Sequence, residues 1–434
     1  MTSPSDHSGL RVLIVAENAS RRYGGEAALP MQFYEHLRRR GIATWLFTHA
    51  RVRSEFEGSD VADQVLYVED WQLHRLLWRL GRRLPARIEY LTTGYLSRLL
   101  TQANQRRQTR RLVKELAIDV VHQPIPVSPK EPSLLYDLGA PVVIGPLNGG
   151  MDFPAAFRSG DSFFTRFLLR AMRWLSHGLN ALAPGKRKAA IILVANERTR
   201  VALPSGHSRC VETMVENGVD LHLWQPRSPT QPSHAASHTR YVFMGRLVDV
   251  KRVDILLDAF SKACRQQAMS LLVIGDGPLL AQLKRHAEAL GILASDGETE
   301  SKVYFAGWMS QVDAAERLQA QDCLVLPSVR ECGGAVVLEA MAAGLPVIAV
   351  HWGGPADYLD ASCGILIPPE GPGFVAHEMT QALICLARDP ALRRRLGEQG
   401  RAKVEREFDW EKKIDHLLTI YARAVEQTTA HQPS

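Results

Sequence analysis

The sequence predicts an α/β protein of two doubly wound domains, and three observations carry that prediction. Short apolar, β-branched runs recur along the chain, and each ends in turn residues before a helix-like segment. The alternation runs twice, once from Arg11 and again from Tyr241. Between the two lies Gln225 to His238, rich in Pro, Ser and His and without periodicity, which reads as a linker. A chain of 434 residues can fill two such cores.

Composition sets outer limits. A hydrophobic content of 46% and a charged content of 23% describe a globular protein. A net charge of +6 suits an acidic partner: a nucleotide diphosphate, an anionic lipid or a nucleic acid. No nucleic-acid recognition motif accompanies the basic segments, so nucleic acid is not expected. The six cysteines are scattered, with no C-x-x-C and no neighbouring His at ligand spacing. That pattern argues against a zinc site and a disulfide framework, and for a reducing compartment. The first ten residues lack a signal pattern, and no apolar run approaches the ~18 residues of a membrane span. A cytoplasmic protein is expected, with basic segments suited to peripheral attachment at the inner face of the membrane.

In the first half, Arg11 to Ala16 reads as a buried strand, Glu17 to Glu26 as its loop, and Ile42 to Thr48 as the next strand. Gly24 and Gly25, in that loop, either let a diphosphate approach the backbone or form a simple turn. From Trp71 to Ala117, Leu73, Leu76, Leu77 and Leu80 interleave with Arg75, Arg79, Arg82 and Arg83, and Pro85 and Gly94 divide the stretch into helices. This is either the solvated face of core-packing helices or a dock for an anionic membrane surface. Ile118 to His122 and Pro141 to Ile144 are further strands. His122 stands at a strand's carboxyl end, which makes it an acceptor-site candidate rather than a nucleophile. The loop after Ile144 carries Asn148, Gly149 and Gly150. Phe163 to Leu182 is a second basic amphipathic segment, Ile191 to Ala195 a strand, and Asn217-Gly218 a tight turn.

In the second half, Tyr241 to Met244 leads through Gly245 and Arg246 to Lys251 and the helix Val253 to Cys264. Arg246 supplies a planar fork and Lys251 a point charge, both suited to phosphate oxygens. Each such bond contributes ~1.5–3 kcal/mol. Leu271 to Ile274 ends in Gly275-Asp-Gly-Pro278, and Val303 to Phe305 in Ala306-Gly307-Trp308. Cys323 to Leu326 is a strand ending at Pro327. Glu331 follows in a loop, and Cys332, Gly333 and Gly334 lead into the helix Ala335 to Ala343, ended by Gly344. A helix start behind two glycines offers free N–H groups and a positive dipole end to a phosphate. Carboxylates beside such an anion site, Glu331 and Glu339, are suited to binding hydroxyls. Pro346 to Val350 and Ile365 to Ile367 are the last strands, and the chain is helical from Gly373 to about Glu426.

The E-x7-E of Glu331 and Glu339, with G-G after the first and A-M-A-A-G-L-P-V after the second, resembles the retaining glycosyltransferases of family 4, the group 1 glycosyltransferases. So do G-R-x-x-x-x-K at Gly245 to Lys251, Gly275-Asp-Gly-Pro278, Asn217-Gly-Val-Asp220 and the Gly24-Gly25-Glu26 loop, so the resemblance covers most of the chain. It implies the GT-B fold, two Rossmann-like domains facing a cleft. Residues 1–221 would bind acceptor, 222–239 link, and 240–405 bind the nucleotide sugar. Residues 406–434 would form a helix returning to the first domain. It implies a metal-independent hexosyltransferase in polysaccharide biosynthesis that needs no cofactor beyond a nucleotide diphosphate sugar as co-substrate, with a glycan or lipid-linked acceptor. No D-x-D of the metal-dependent design occurs. Arg246 and Lys251 would clamp the diphosphate and, with Glu331, form the catalytic set. Glu339 would hold the ribose, while Glu331 with the Cys332 to Gly334 backbone would hold the donor sugar, and Gly24 and Gly25 would approach the donor. Retention by same-face attack requires no protein nucleophile. Many members carry a His after the strand matching Pro141 to Ile144, which this chain lacks. The acceptor contacts are therefore assigned to His122, Asn148 and the Gly149-Gly150 backbone. The rival readings are a GT-B sugar-nucleotide epimerase, a phosphorylase, and a non-catalytic membrane-associated GT-B protein.

Overall fold

A computed structural model of the chain describes residues 9–20, 25–58, 62–84, 88–89, 92–158, 178–227, 238–294 and 302–430. Gly24, most of the basic segment Phe163 to Leu182 and the centre of the linker lie outside the described residues. The chain divides into two compact units, one of residues 1–150, 161–216 and 411–434, the other of 151–160 and 217–410. Compared with the boundaries read from the sequence, 151–160 and 217–221 count with the second unit, and the return to the first begins at Glu411.

The first unit is built on seven strands: β1 (Arg11–Val15), β2 (Ala43–His49), β3 (Val65–Val68), β4 (Val120–Gln123), β5 (Val142–Leu147), β6 (Ile191–Val194) and β7 (Val211–Thr213). They form one sheet in the order β3-β2-β1-β4-β5-β6-β7, with every neighbouring pair parallel. Strands β4, β5 and β6 are buried at every position, as an apolar run covered on both faces must be. The edge strands β3 (V-L-Y-V) and β7 (V-E-T) are partly open, and their short, mixed patterns are why the sequence reading missed them. Leu13, Val15, Phe47, Val121, Ile144 and Ile192 meet in one core. The basic stretch is divided into helices as the sequence suggested, Gln72–Gly81 and Thr93–Glu115, with Gly94 in the first turn of the second. The terminal helix Trp410–Ala430 is bound into this unit by Arg40, whose guanidinium pairs with Glu411 at 2.5 Å and Asp415 at 3.0 Å.

The second unit holds β8 (Thr239–Met244), β9 (Met269–Ile274), β10 (Val303–Gly307), β11 (Cys323–Leu326), β12 (Val347–Val350) and β13 (Gly364–Ile367). The order is β10-β9-β8-β11-β12-β13, again parallel throughout. β11 and β12 are wholly buried, while the edge strand β10 is open over most of its length. Helices Val253–Ala263 and Pro372–Arg388 pack together, and Tyr241 on β8 ties to the latter by donating its hydroxyl to the Leu383 carbonyl at 2.5 Å. Both sheets are therefore doubly wound, with loops at the carboxyl ends of the strands left to bind ligands.

Candidate donor-sugar site

Three loops at the carboxyl ends of β8, β9 and β11 are stitched together by backbone. Gly245 N–H donates to the Ile274 carbonyl (3.0 Å) and Leu247 N–H to that of Asp276 (2.9 Å). A Cβ on Gly275 would stand 2.0 Å from the Gly245 oxygen, so only glycine lets these loops meet. On the other side, Val329 N–H donates to the Val250 carbonyl at 3.0 Å. That bond sets the β11 loop beside the short 3-10 turn Asp249–Lys251, and there the Lys251 ammonium donates to a Glu331 carboxylate oxygen. Each partner is only 16% exposed. Arg246, on the same loop as Lys251, is exposed and has no ion-pair partner among the described residues.

Gly334, at φ +79°, caps the eight-residue helix Ala335–Ala342. A Cβ there would stand 2.8 Å from Glu331 Cγ, so the glycine both turns the chain and clears space for the glutamate. The Glu331 carbonyl in turn accepts from Gly354 N–H at 2.7 Å. Val337, Leu338, Ala340 and Met341 bury this helix, and Glu339 stands among them. Part of its side chain reaches solvent, yet burial of the carboxyl group pushes its pKa up to about 7. No hydrogen-bond donor or cation meets that carboxyl group among the described residues. Glu339 lies about 6 Å along the axis from the helix start. The structure thus brings Arg246, Lys251, Glu331, Cys332, Gly333 and Gly334 into neighbouring loops of one unit, with Glu339 on the helix that follows. Cys332 is exposed and Gly333 buried.

Sequence reasoning missed the part played by residues 151–158. They belong to the second unit, where the Trp352 indole N–H donates to the Asp152 carbonyl at 2.9 Å. Arg330 lies over the Phe153 ring at 5.2 Å and Arg252 over the Phe157 ring at 5.4 Å. The alternation of Phe153 and Phe157 with turn residues gave no warning, because neither lies in a periodic element. Trp308, which the sequence left between stacking and packing, is 77% exposed.

In the first unit, the residues expected to meet the acceptor, His122, Asn148 and Gly149, are held by the protein's own groups. His122 is fully buried on β4. Its Nε2 lies 2.6 Å from the Gly145 carbonyl, which can only accept, so Nε2 carries the proton and Nδ1 accepts from the Tyr421 hydroxyl at 2.7 Å. Phe33 and Tyr421 close over the ring, and burial lowers its pKa to about 4. It is a structural histidine. Asn148 is buried too, donating to Glu216 at 2.5 Å, and Gly149 N–H donates to the Thr199 hydroxyl at 3.0 Å. A Cβ on Gly149 would meet Pro129 at 2.5 Å, so this glycine serves close packing rather than ligand approach. Gly25 opens the helix Gly25–Arg39 and is exposed. A cavity of 420 Å³ does lie in this unit, and in its lining Glu17, Asn18, Arg51 and Glu131 were not singled out from the sequence. Only the place of Glu17 and Asn18, directly after a buried strand, could have signalled it.

Among the described residues no group of His, Cys, Asp and Glu is arranged to hold a metal, and no helix is long and apolar enough to cross a membrane.

Residues 227–403 match the family model for glycosyl transferases group 1. Curated relatives include a D-inositol 3-phosphate glycosyltransferase of Streptomyces bingchenggensis, 31% identical over 49% of this chain and 48% of its own length. Another is an N-acetyl-alpha-D-glucosaminyl L-malate synthase of Bacillus anthracis, 31% identical over 48% of this chain and 52% of its own. The chain thus spans about half the length of the curated relatives it matches. Solved structures reach further along it. A glycosyltransferase from Rickettsia africae superposes with a TM-score of 0.63 over 96% of this chain and 99% of its own, at 14% identity. Anabaena HepE, in complex with UDP, gives 0.62 over 95% and 100%, at 16% identity. These likenesses carry the GT-B fold, two Rossmann-like parallel-sheet domains, and residues 227–403 are similar to the group 1 glycosyl transferases.

Proposed function

We propose that this chain transfers a sugar, with retention, from a nucleotide diphosphate donor to a hydroxyl of a glycan or lipid-linked acceptor. One observation carries the reading. The second unit holds a desolvated carboxyl group, Glu339, with no partner among the described residues, on a helix whose capping loop joins Glu331 to the cation Lys251. A carboxylate that lacks donors in the protein is suited to take them from ribose hydroxyls. Lys251 and Arg246 then receive the diphosphate and carry the charge that grows on it as the glycosidic bond breaks, without a metal. Once the diphosphate shares Lys251, Glu331 is released to accept from the donor sugar. Same-face attack, with the leaving phosphate taking the acceptor's proton, requires no protein nucleophile.

The reading extends to a membrane surface. On the helix Gln72–Gly81, His74 and Gly81 are buried, whereas Leu76 and Trp78 are 51% and 63% exposed. Trp71, Leu73 and Leu80 are exposed beside them, as are Arg75, Arg79, Arg82 and Arg83. An apolar face interleaved with arginines fits an anionic bilayer, each basic group contributing ~1 kcal/mol near the surface. Attachment would be peripheral.

The test is calorimetric titration with a panel of nucleotide sugars in EDTA, followed by release of nucleoside diphosphate. Binding, with release dependent on added acceptor, is expected. Release without any acceptor points to an epimerase or hydrolase, and no binding at all points to a non-catalytic protein.

A further inference from the structure

The 420 Å³ cavity of the first unit stands at the carboxyl end of its sheet. Glu17 and Asn18 leave β1, Arg51 follows β2, Glu131 follows β4, and Glu26 comes from the first turn of the helix Gly25–Arg39. In the strand order β3-β2-β1-β4-β5, the chain runs one way from β1 and the other way from β4. Their junction is the switch point at which doubly wound sheets bind ligands. Leu77 and Trp78 of the basic apolar helix form another wall.

The lining sets the carboxylates of Glu17, Glu26, Glu89 and Glu131 against the guanidinium groups of Arg51 and Arg98. Arg51 reaches Glu17 at 3.5 Å and Arg98 reaches Glu131 at 3.6 Å, both longer than a good charge-assisted bond. Neither carboxylate has another hydrogen-bond donor among the described residues. Burial raises the pKa of both, against the pull of Arg51 and Arg98 respectively. The side-chain oxygen of Asn18 is buried and has no partner among the described residues. Glu26 spends one oxygen on the Val127 N–H at 3.1 Å. Three groups with unused acceptor capacity line a space of monosaccharide size.

We propose that this cavity takes the acceptor's sugar and selects one rich in hydroxyl or amino groups over a sugar phosphate or uronate. The proposal rests on the transferase reading and names its acceptor class. A neutral or aminated sugar supplies the missing donors, whereas an added anion meets buried carboxylates.

Ligand-observed NMR on the full chain, with and without UDP, tests this directly. The probes are methyl glycosides of common hexoses, their 2-amino counterparts and their 6-phosphates. Neutral and amino sugars should bind at least about tenfold tighter than the phosphates, and Glu131→Gln or Glu17→Gln should weaken them about tenfold. Nucleotide-sugar affinity and circular dichroism of those variants should be unchanged. Phosphates that bind as well as neutral sugars, unaltered binding in both variants, or no binding of any probe each overturn the proposal. In the same preparations, nucleotide-sugar binding that persists leaves the transferase reading standing, and its absence removes that reading itself.

Discussion

Replacing Glu339 with Gln separates a carboxylate that binds hydroxyls from one that merely packs. Burial holds its pKa at about 7, against an ordinary 4.5. In the unfolded chain the group ionises first, so between those values the folded state holds the extra proton and stability falls as pH rises. The difference of about 2.5 units corresponds to an upper bound of about 3 kcal/mol, fully expressed above pH 7 and absent below 4.5. Glu339→Gln should therefore stabilise the second unit at pH 8 and not at pH 4.5. Donor binding should show the reverse. Hydroxyls that donate to the carboxylate favour its charged form, so binding should release about half a proton at pH 7 and about a tenth at pH 8. The assay is nucleotide-sugar calorimetry in two buffers of different ionisation enthalpy. In the Gln variant proton release should vanish and affinity should drop roughly tenfold. Equal proton release in both proteins, or none in the wild type, would refute the hydroxyl-binding role.

Other outcomes follow from single residues. His122 stays neutral to about pH 4 when folded but takes a proton near 6.5 when unfolded, so the first unit should lose stability as pH falls between those values, by up to about 3 kcal/mol. Acid denaturation of His122→Gln should lack that component. Gly275→Val should destabilise the second unit by several kcal/mol, since its Cβ would fall 2.0 Å from the Gly245 oxygen, and this is measurable by urea unfolding. Co-sedimentation should be strong with vesicles rich in phosphatidylglycerol and weak with neutral ones. Leu73→Glu with Leu76→Glu, both exposed and outside the cavity lining, should abolish it without altering turnover on a water-soluble acceptor.

The fold was legible because buried parallel strands announce themselves. Ile191–Val194, Cys323–Leu326 and Val347–Val350 are uninterrupted apolar runs, and each is buried at every position. The edge strands were not legible, since V-E-T at 211–213 is one apolar residue beside two polar ones. In the second unit, Arg246, Lys251, Glu331 and Glu339 were readable because each stands at a fixed spacing from a strand end or glycine. What places Lys251 against Glu331 is a backbone bond between Val329 and Val250, which no residue type encodes. In the first unit the same logic misled. His122 does stand at a strand end, but Tyr421, 299 residues later, closes over it. Burial by a distant helix is a tertiary fact. Glu131 escaped notice for the same reason, since its cavity is made by loops distant in sequence.

The most direct measurement is sugar-transfer turnover in EDTA by the wild type and by Lys251→Ala. Unchanged wild-type turnover is predicted, with a loss of roughly 10²–10³ or more in kcat for the variant at unaltered circular dichroism. Near-normal turnover in Lys251→Ala, or a wild type silenced by chelation, would contradict a diphosphate held by fixed cations.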